Sequence, residues 1–292
     1  MGTVQEKTSL TLTLSRRERK RVYAYVAHHG RLHRSPSGRR GRGEGNRGFT
    51  LIELVVVIVL LGITAVTFTS IITGSVSGYL DTAKRQDSAA EARIALDRIA
   101  RDLREATPQS VRIASNCLQF LPVAASTVYT SLTANSTTIE VVDFSVPSGS
   151  GYYAAVYPVN ASELYDNTAM KPVTDMGTAD SNHVRTLTLS SGFTSVRNSP
   201  GERVYVVGSP VSYCFSGGQV LRYTSAVTTT QPAPGAGLSG GAVLIGNLSN
   251  ANFQYALGNW TNNALVTITF TIAQSNGENL QLDHEVWLRD AQ

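Results

Sequence analysis

Hydrophobic and polar positions along this chain follow different periods in different stretches, and each period predicts its own element. Between Leu54 and Leu80 no side chain is charged, and the apolar residues run together without periodicity. At 1.5 Å per residue that run, as a helix, is long enough to cross a hydrocarbon layer of roughly 30 Å, so it predicts a membrane helix. From Ala89 onward the apolar residues become periodic. Ala89, Ala92, Leu96, Ile99, Leu103 and Ala106 follow spacings of 3, 4, 3, 4 and 3, which puts them on one helix face. Charged residues between Lys84 and Arg104 take the other face. Pro108 disfavours helical geometry at Thr107, so the helix is predicted to end at Ala106, and a continuous rod from Phe49 would span roughly 85 Å.

From Val111 the pattern becomes strand-like, with short apolar runs between Ser, Thr, Asn and Gly. Strands are predicted over 138–144, 204–207, 211–215, 219–223, 242–245 and 265–273. In the last of these Val266, Ile268, Phe270 and Ile272 alternate with Thr267, Thr269 and Thr271. A turn at Ser275-Asn276-Gly277 then leads to Leu280, Leu282, His284, Val286 and Leu288 on alternate positions, which reads as a hairpin; Ser216-Gly217-Gly218 reads as another. The middle, 147–200, is rich in Tyr, Asn, Ser and Gly and is expected to form long loops with short strands such as 183–189. Loops of that length are usually functional or disordered, which makes this region the first expected point of contact with anything outside the protein's own assembly.

Charge separates the N-terminus from everything else. Residues 1–48 carry twelve Lys or Arg against three acids, a balance of +9, whereas the 244 residues from Phe49 onward carry 13 basic against 18 acidic side chains, a balance of −5. Positive charge stays cytoplasmic, so the chain after the helix is predicted to be exported. The sequence pI of 9.1 therefore describes the leader more than the protein. Residues 1–47 are too poor in apolar side chains to bury a core, with a short basic helix over 10–26 at most. A positive-inside anchor accounts for the basic 38–43 stretch, and no nucleic-acid partner is expected. The chain beyond the helix is long enough for an ordinary domain with its own core.

An ordinary secretory signal is cut after its apolar region, yet here the candidate junction precedes it. Gly48-Phe49-Thr50-Leu51-Ile52-Glu53, followed by unbroken aliphatics, resembles the processing site of type IV prepilins and of type II secretion pseudopilins. Taken singly, Gly48 also suits a flexible linker, Phe49 an interfacial aromatic and Glu53 a snorkelling acid. An acid one turn inside a membrane helix is nonetheless costly, up to about 3 kcal/mol at the centre, and intramembrane acids are functional by default. Gly62, Gly74 and Gly78 interrupt the rod. They suit close packing between membrane helices, or local melting when helices pack in a filament.

The resemblance implies an α+β pilin fold, a long N-terminal transmembrane and amphipathic helix packed on an antiparallel β-sheet domain. It divides the chain into a removed leader (1–48), the transmembrane half of the helix (49–80), its amphipathic half (81–106) and a β-rich head (107–292). It implies that a membrane peptidase cuts after Gly48 and that the new amine of Phe49 is methylated. Glu53 would act in assembly. Implied partners are the prepilin peptidase/methylase, other pilins and minor pilins, an inner-membrane assembly platform and membrane lipid; no cofactor is implied. The chain would be a single-pass inner-membrane protein with a periplasmic head, and later part of a pilus at the cell surface. A 48-residue leader is long for the family, which leaves the start codon open. Residues 98–112, 117–123, 213–223 and 284–289 resemble, more narrowly, MshO-type minor pilins of mannose-sensitive haemagglutinin pilus biogenesis.

Catalytic patterns are nearly absent from the sequence. His28, His29 and His33 lie in the leader, which leaves His183 and His284 with no HExxH, CxxC or nucleophile elbow around them. Gly235, Gly237 and Gly240 match GxGxxG, but they sit in a Pro-rich loop followed by a strand, not the helix a dinucleotide site requires. Neither catalytic nor metal-binding residues are assigned. Cys117 and Cys214, the only two cysteines, lie beside apolar strand-like runs on the exported side, where oxidation is allowed, and are predicted to form a disulfide; the alternative is two separate buried thiols. Three functions fit: a minor pilin that helps assemble or decorate a type IV pilus, a type II secretion pseudopilin, or a pilus-tip module binding a surface, glycan or DNA.

Overall fold

The computed structural model describes residues 48–194, 197–258, 263–274 and 277–288. Residues 1–47 of the leader, the turn residues Ser275 and Asn276, and Arg289 lie outside them. In chain order the elements are α1 (Leu51–Arg104), β1 (Arg112–Ala114), β2 (Cys117–Phe120), β3 (Val123–Ser131), β4 (Thr138–Val142), β5 (Tyr153–Ala155), α2 (Ala161–Tyr165), β6 (Met170–Asp175) and β7 (Val184–Leu189). Then come β8 (Arg203–Val207), β9 (Val211–Ser216), β10 (Gln219–Thr224), β11 (Ala233–Pro234), β12 (Gly237–Leu238), β13 (Ala242–Ile245), β14 (Asn250–Ala256), β15 (Leu265–Ala273) and β16 (Asn279–Trp287). The chain divides into two compact units, 1–64 and 65–292. A long N-terminal apolar helix followed by antiparallel sheets makes this an α+β pilin fold.

In the second unit the amphipathic face of α1 lies where its period put it. Ala92, Leu96, Ile99 and Leu103 are buried, joined by Ala95 and Ala100, while Ala89 is only partly covered. They pack on a core built from the inner faces of two antiparallel sheets, β1-β2-β9-β10-β13 and β14-β15-β16. Each large aliphatic side chain removed from water here contributes about 1.5–3 kcal/mol. The helix ends two residues early. Thr107 N–H donates to Leu121 O at 2.7 Å and Ala106 bridges Pro122, so the approach to Pro108 belongs to the sheet. Asp102 anchors the last turn: the Tyr213 hydroxyl donates to its Oδ2 at 2.5 Å, and Arg222 Nε lies 3.4 Å away.

The hairpins lie where the turn residues predict them. Gly217 and Gly218 have φ of 60° and 76°, the left-handed pair that a two-residue turn between β9 and β10 requires. In β15, Val266, Ile268 and Phe270 are fully buried between half-covered threonines, and its register with β16 runs unbroken from Leu265↔Trp287 to Ala273↔Asn279.

The middle of the chain departs from expectation. The short strand expected over 183–189 is present as β7, but in place of long loops 147–200 also supplies β5, β6 and the helix α2 between them; β5, β6 and β7 join a closed barrel of order β3-β4-β7-β6-β5-β8, with a core around Ile139, Val141, Leu187 and Val204 and a second cluster around Leu164, Tyr165, Met170 and Val207. Arg112 ties barrel to sheet. Its guanidinium stacks 3.4 Å from the Tyr165 ring centroid and donates to Gln119 Oε1 and to the carbonyls of Thr228 and Thr229, while the Tyr165 hydroxyl donates to Ser110 O.

Burial raises the phenol pKa of both Tyr165 and Tyr213 above the ordinary value, and the Asp102 carboxylate adds to the effect at Tyr213. Each phenol thus favours folding below the unfolded-state pKa near 10 and loses that contribution as pH rises beyond it. The expected result is alkaline destabilisation beginning near pH 10, up to about 1.4 kcal/mol per pH unit for each tyrosine. Tyr213→Phe should reduce the slope measured by chemical denaturation across pH 9 to 11; an unchanged slope refutes the assignment.

Candidate functional site

Gly48 and Phe49 precede α1 as exposed chain outside any regular element, Phe49 being 78% exposed and Gly48 having open space where a Cβ would stand. The helix opens at Leu51, not Phe49, because Thr50 caps it: Glu53 N–H donates to Thr50 Oγ1 at 3.3 Å and Leu54 N–H to Thr50 O at 3.2 Å. Sequence reasoning passed over Thr50, although Thr-x-x-Glu before an apolar run is the signature of a capping box. Glu53 consequently sits in the first turn, where the positive end of the helix dipole favours an acid. Among the described residues no ion pair reaches it.

Beyond the cap, the large apolar side chains of the run are exposed among the described residues. Leu51, Ile52, Ile58, Leu60, Leu61, Phe68, Ile71 and Leu80 are all 49–82% exposed. The most apolar 18-residue window of the helix has mean hydropathy 2.7 and is entirely unburied. Such a surface needs lipid or other helices around it. Its hydroxyls are compatible with that setting because they are satisfied within the helix. Thr64, Thr69, Thr73, Ser75 and Thr82 each donate to a carbonyl one turn back at 2.8–3.0 Å. An added Cβ at Gly62, Gly74 or Gly78 would meet nothing within 4 Å, so no contact among the described residues requires these glycines.

Far along the sequence, Cys117 and Cys214 stand directly opposite one another in the β2–β9 ladder. Their sulfurs are bonded and both residues are fully buried. The strap over 225–241 covers them, with Leu238 packed in the same cluster and Gln231 Nε2 donating to Cys117 O at 2.8 Å. Gly235, Gly237 and Gly240 belong to this strap and lead into β13. His183 lies just before β7, and His284 sits inside β16 opposite Ile268.

Residues 45–69 match the family described as the prokaryotic N-terminal methylation motif. No curated protein and no solved structure matches the chain. The motif, the apolar helix that contains it and the disulfide-bonded α+β fold support a pilin-like protein of the type IV pilin and pseudopilin superfamily, with a membrane-anchoring N-terminal helix. They point to a structural subunit that is processed by prepilin peptidase and assembles with other pilins, rather than to an enzyme.

Proposed function

We propose that the chain is a minor type IV pilin of the kind used in mannose-sensitive haemagglutinin pilus biogenesis. Residues 1–48 are its leader, 49–80 the membrane-spanning half of the helix, 81–106 the amphipathic half and 107–292 the head. Prepilin peptidase cuts after Gly48 on the cytoplasmic side and the Phe49 amine is methylated. The head is periplasmic until the subunit leaves the bilayer for the filament. The observation that carries this reading is the Gly48-Phe49 junction placed before a helix whose 51–80 stretch bears a single charge, Glu53 in its first turn. A secretion pseudopilin shares that junction and differs in its partners. Mass spectrometry of sheared surface filaments separates the two: trace amounts beside a major subunit support the minor pilin, and retention in the membrane under piliating conditions makes it a pseudopilin.

Cleavage itself has a direct test. Gly48→Leu is expected to block processing, because a branched side chain would occupy the open backbone that the peptidase must grip. Intact mass should then show the leader retained, against a methylated Phe49 terminus in the unaltered chain. A mature terminus beyond Ile72 would show that an ordinary signal peptidase acts instead.

A further inference from the structure

β16 closes the sheet β14-β15-β16 on one side, and nothing among the described residues pairs with its outer edge. The other end strand, β14, is packed beside β1 and β9. β16 is nine residues long, its register with β15 contains no bulge and it carries no Pro or Lys; of the features that keep an edge from pairing it has only the charges of Asp283 and Glu285. Its core-facing side is also unfinished. On β15 the inward residues Ile268, Phe270 and Ile272 are buried, whereas their β16 partners His284, Leu282 and Leu280 are only partly covered; further along the strand Val286, opposite Val266, is buried.

A groove of about 360 Å³ runs beside this edge, lined by Arg93, Leu96 and Asp97 of α1 and by Leu282, Asp283 and His284 of β16. Asp283 faces away from Leu282 and His284, so a groove touched by all three wraps the edge of the strand. His284 Nε2 is buried and lacks a hydrogen-bond partner, which is a cost that a ligand group would relieve. The lining carries two acids against one base, Arg93. The Asp283 carboxylate already accepts from Thr269 Oγ1 and Gln281 Nε2, so Asp97 is the acid left to receive a side chain that donates hydrogen bonds, and Leu96 and Leu282 give its stem an apolar seat.

We propose that β16 is a docking edge for an extended strand of a neighbouring pilin-type subunit, which adds to the sheet by main-chain hydrogen bonds and places a Lys, Arg or Tyr side chain in the groove beside His284. Strand addition of this kind draws affinity from the backbone and specificity from pockets for alternate side chains. It would complete the burial of Leu280, Leu282 and His284. The proposal rests on the chain assembling with other pilin-type subunits, but it does not depend on whether the assembly is a pilus or a secretion pseudopilus.

The test is site-specific photocrosslinking of the full-length chain in its own cells, with the crosslinker at Asp283 and, as control, at Asn252 on the outer face of β14. The expected result is an adduct from Asp283 alone, mapping to an extended segment of a chain that carries the same N-terminal methylation motif. His284→Leu, which keeps an apolar inward position and leaves the disulfide intact, should lower that adduct by about tenfold, the loss of one well-made hydrogen bond. No adduct, adducts of equal yield from both positions, a partner of another class, or an adduct unaffected by His284→Leu each overturns the proposal. Recovery in sheared filaments is scored separately, so failure of the pilus reading is distinguishable from failure of this edge.

Discussion

Replacing Cys117 and Cys214 together by alanine is expected to cost the second unit about 4–5 kcal/mol in the chain-entropy model, a fall in Tm of roughly 10–20 °C. The bond spans 97 residues, and all six barrel strands, β3 to β8, lie between its ends. The barrel is thus an insertion between β2 and β9, and the disulfide staples its base by joining the two strands from which it departs. Without that link the unfolded chain gains the freedom of a long open segment, while the folded state loses little packing, because alanine fills much of each buried site. Thermal unfolding of the full-length chain in detergent, with thiol labelling of the unfolded, unreduced protein, checks this. Two free thiols, or a fall under about 4 °C, equivalent to roughly 1 kcal/mol, would overturn it.

That insertion explains which parts of the fold were legible in the sequence. Helix periodicity and the β15–β16 alternation are local signals, and the structure places Ile99, Leu103, Val266 and Ile268 where those periods put them. Barrel closure is not local. It depends on pairs such as Tyr153↔Val207 and Val123↔Val207, which join short strands separated by more than fifty residues of chain. β5 is three residues long and β6 contains Pro172, so neither announces itself as a strand. β14 is different, since Ala251, Phe253 and Tyr255 alternate with Asn252 and Gln254 and are readable at a period of two. Its polar outer face hid a strand that the pattern already contained.

The site was more legible than the head because it is a linear feature, with glycine, aromatic, acid and apolar run all in one short stretch. What the sequence concealed there was geometry. Thr50 as the cap fixes where the helix starts and thereby puts Glu53 in the first turn. His284 was concealed in another way. On an alternating strand it reads as a core position, and only the open edge of β16 and the unpartnered Nε2 set it apart.

Glu53→Ala is expected to leave insertion and cleavage after Gly48 intact while reducing recovery in sheared filaments at least tenfold. The helix dipole favours an acid in the first turn by about 0.3–1 kcal/mol, whereas burial in an apolar medium costs up to about 3 kcal/mol, so the dipole alone does not settle this carboxylate. With the proposed cleavage after Gly48, Arg47 would leave with the leader and the new charge that processing creates would be the amine of Phe49. On the proposed function, the amine of one subunit pairing with Glu53 of another would fix the axial register in a filament, because any other register leaves both charges unpaired in an apolar core, at about 3–5 kcal/mol. Glu53→Gln should share the assembly defect, since it keeps the shape and loses the charge. Thr50→Ala removes only the cap, worth about 1 kcal/mol, and should assemble much closer to the unaltered level. If Glu53→Ala enters sheared pili at the wild-type ratio, the register role is wrong, and the acid is instead a feature that the peptidase or methylase recognises.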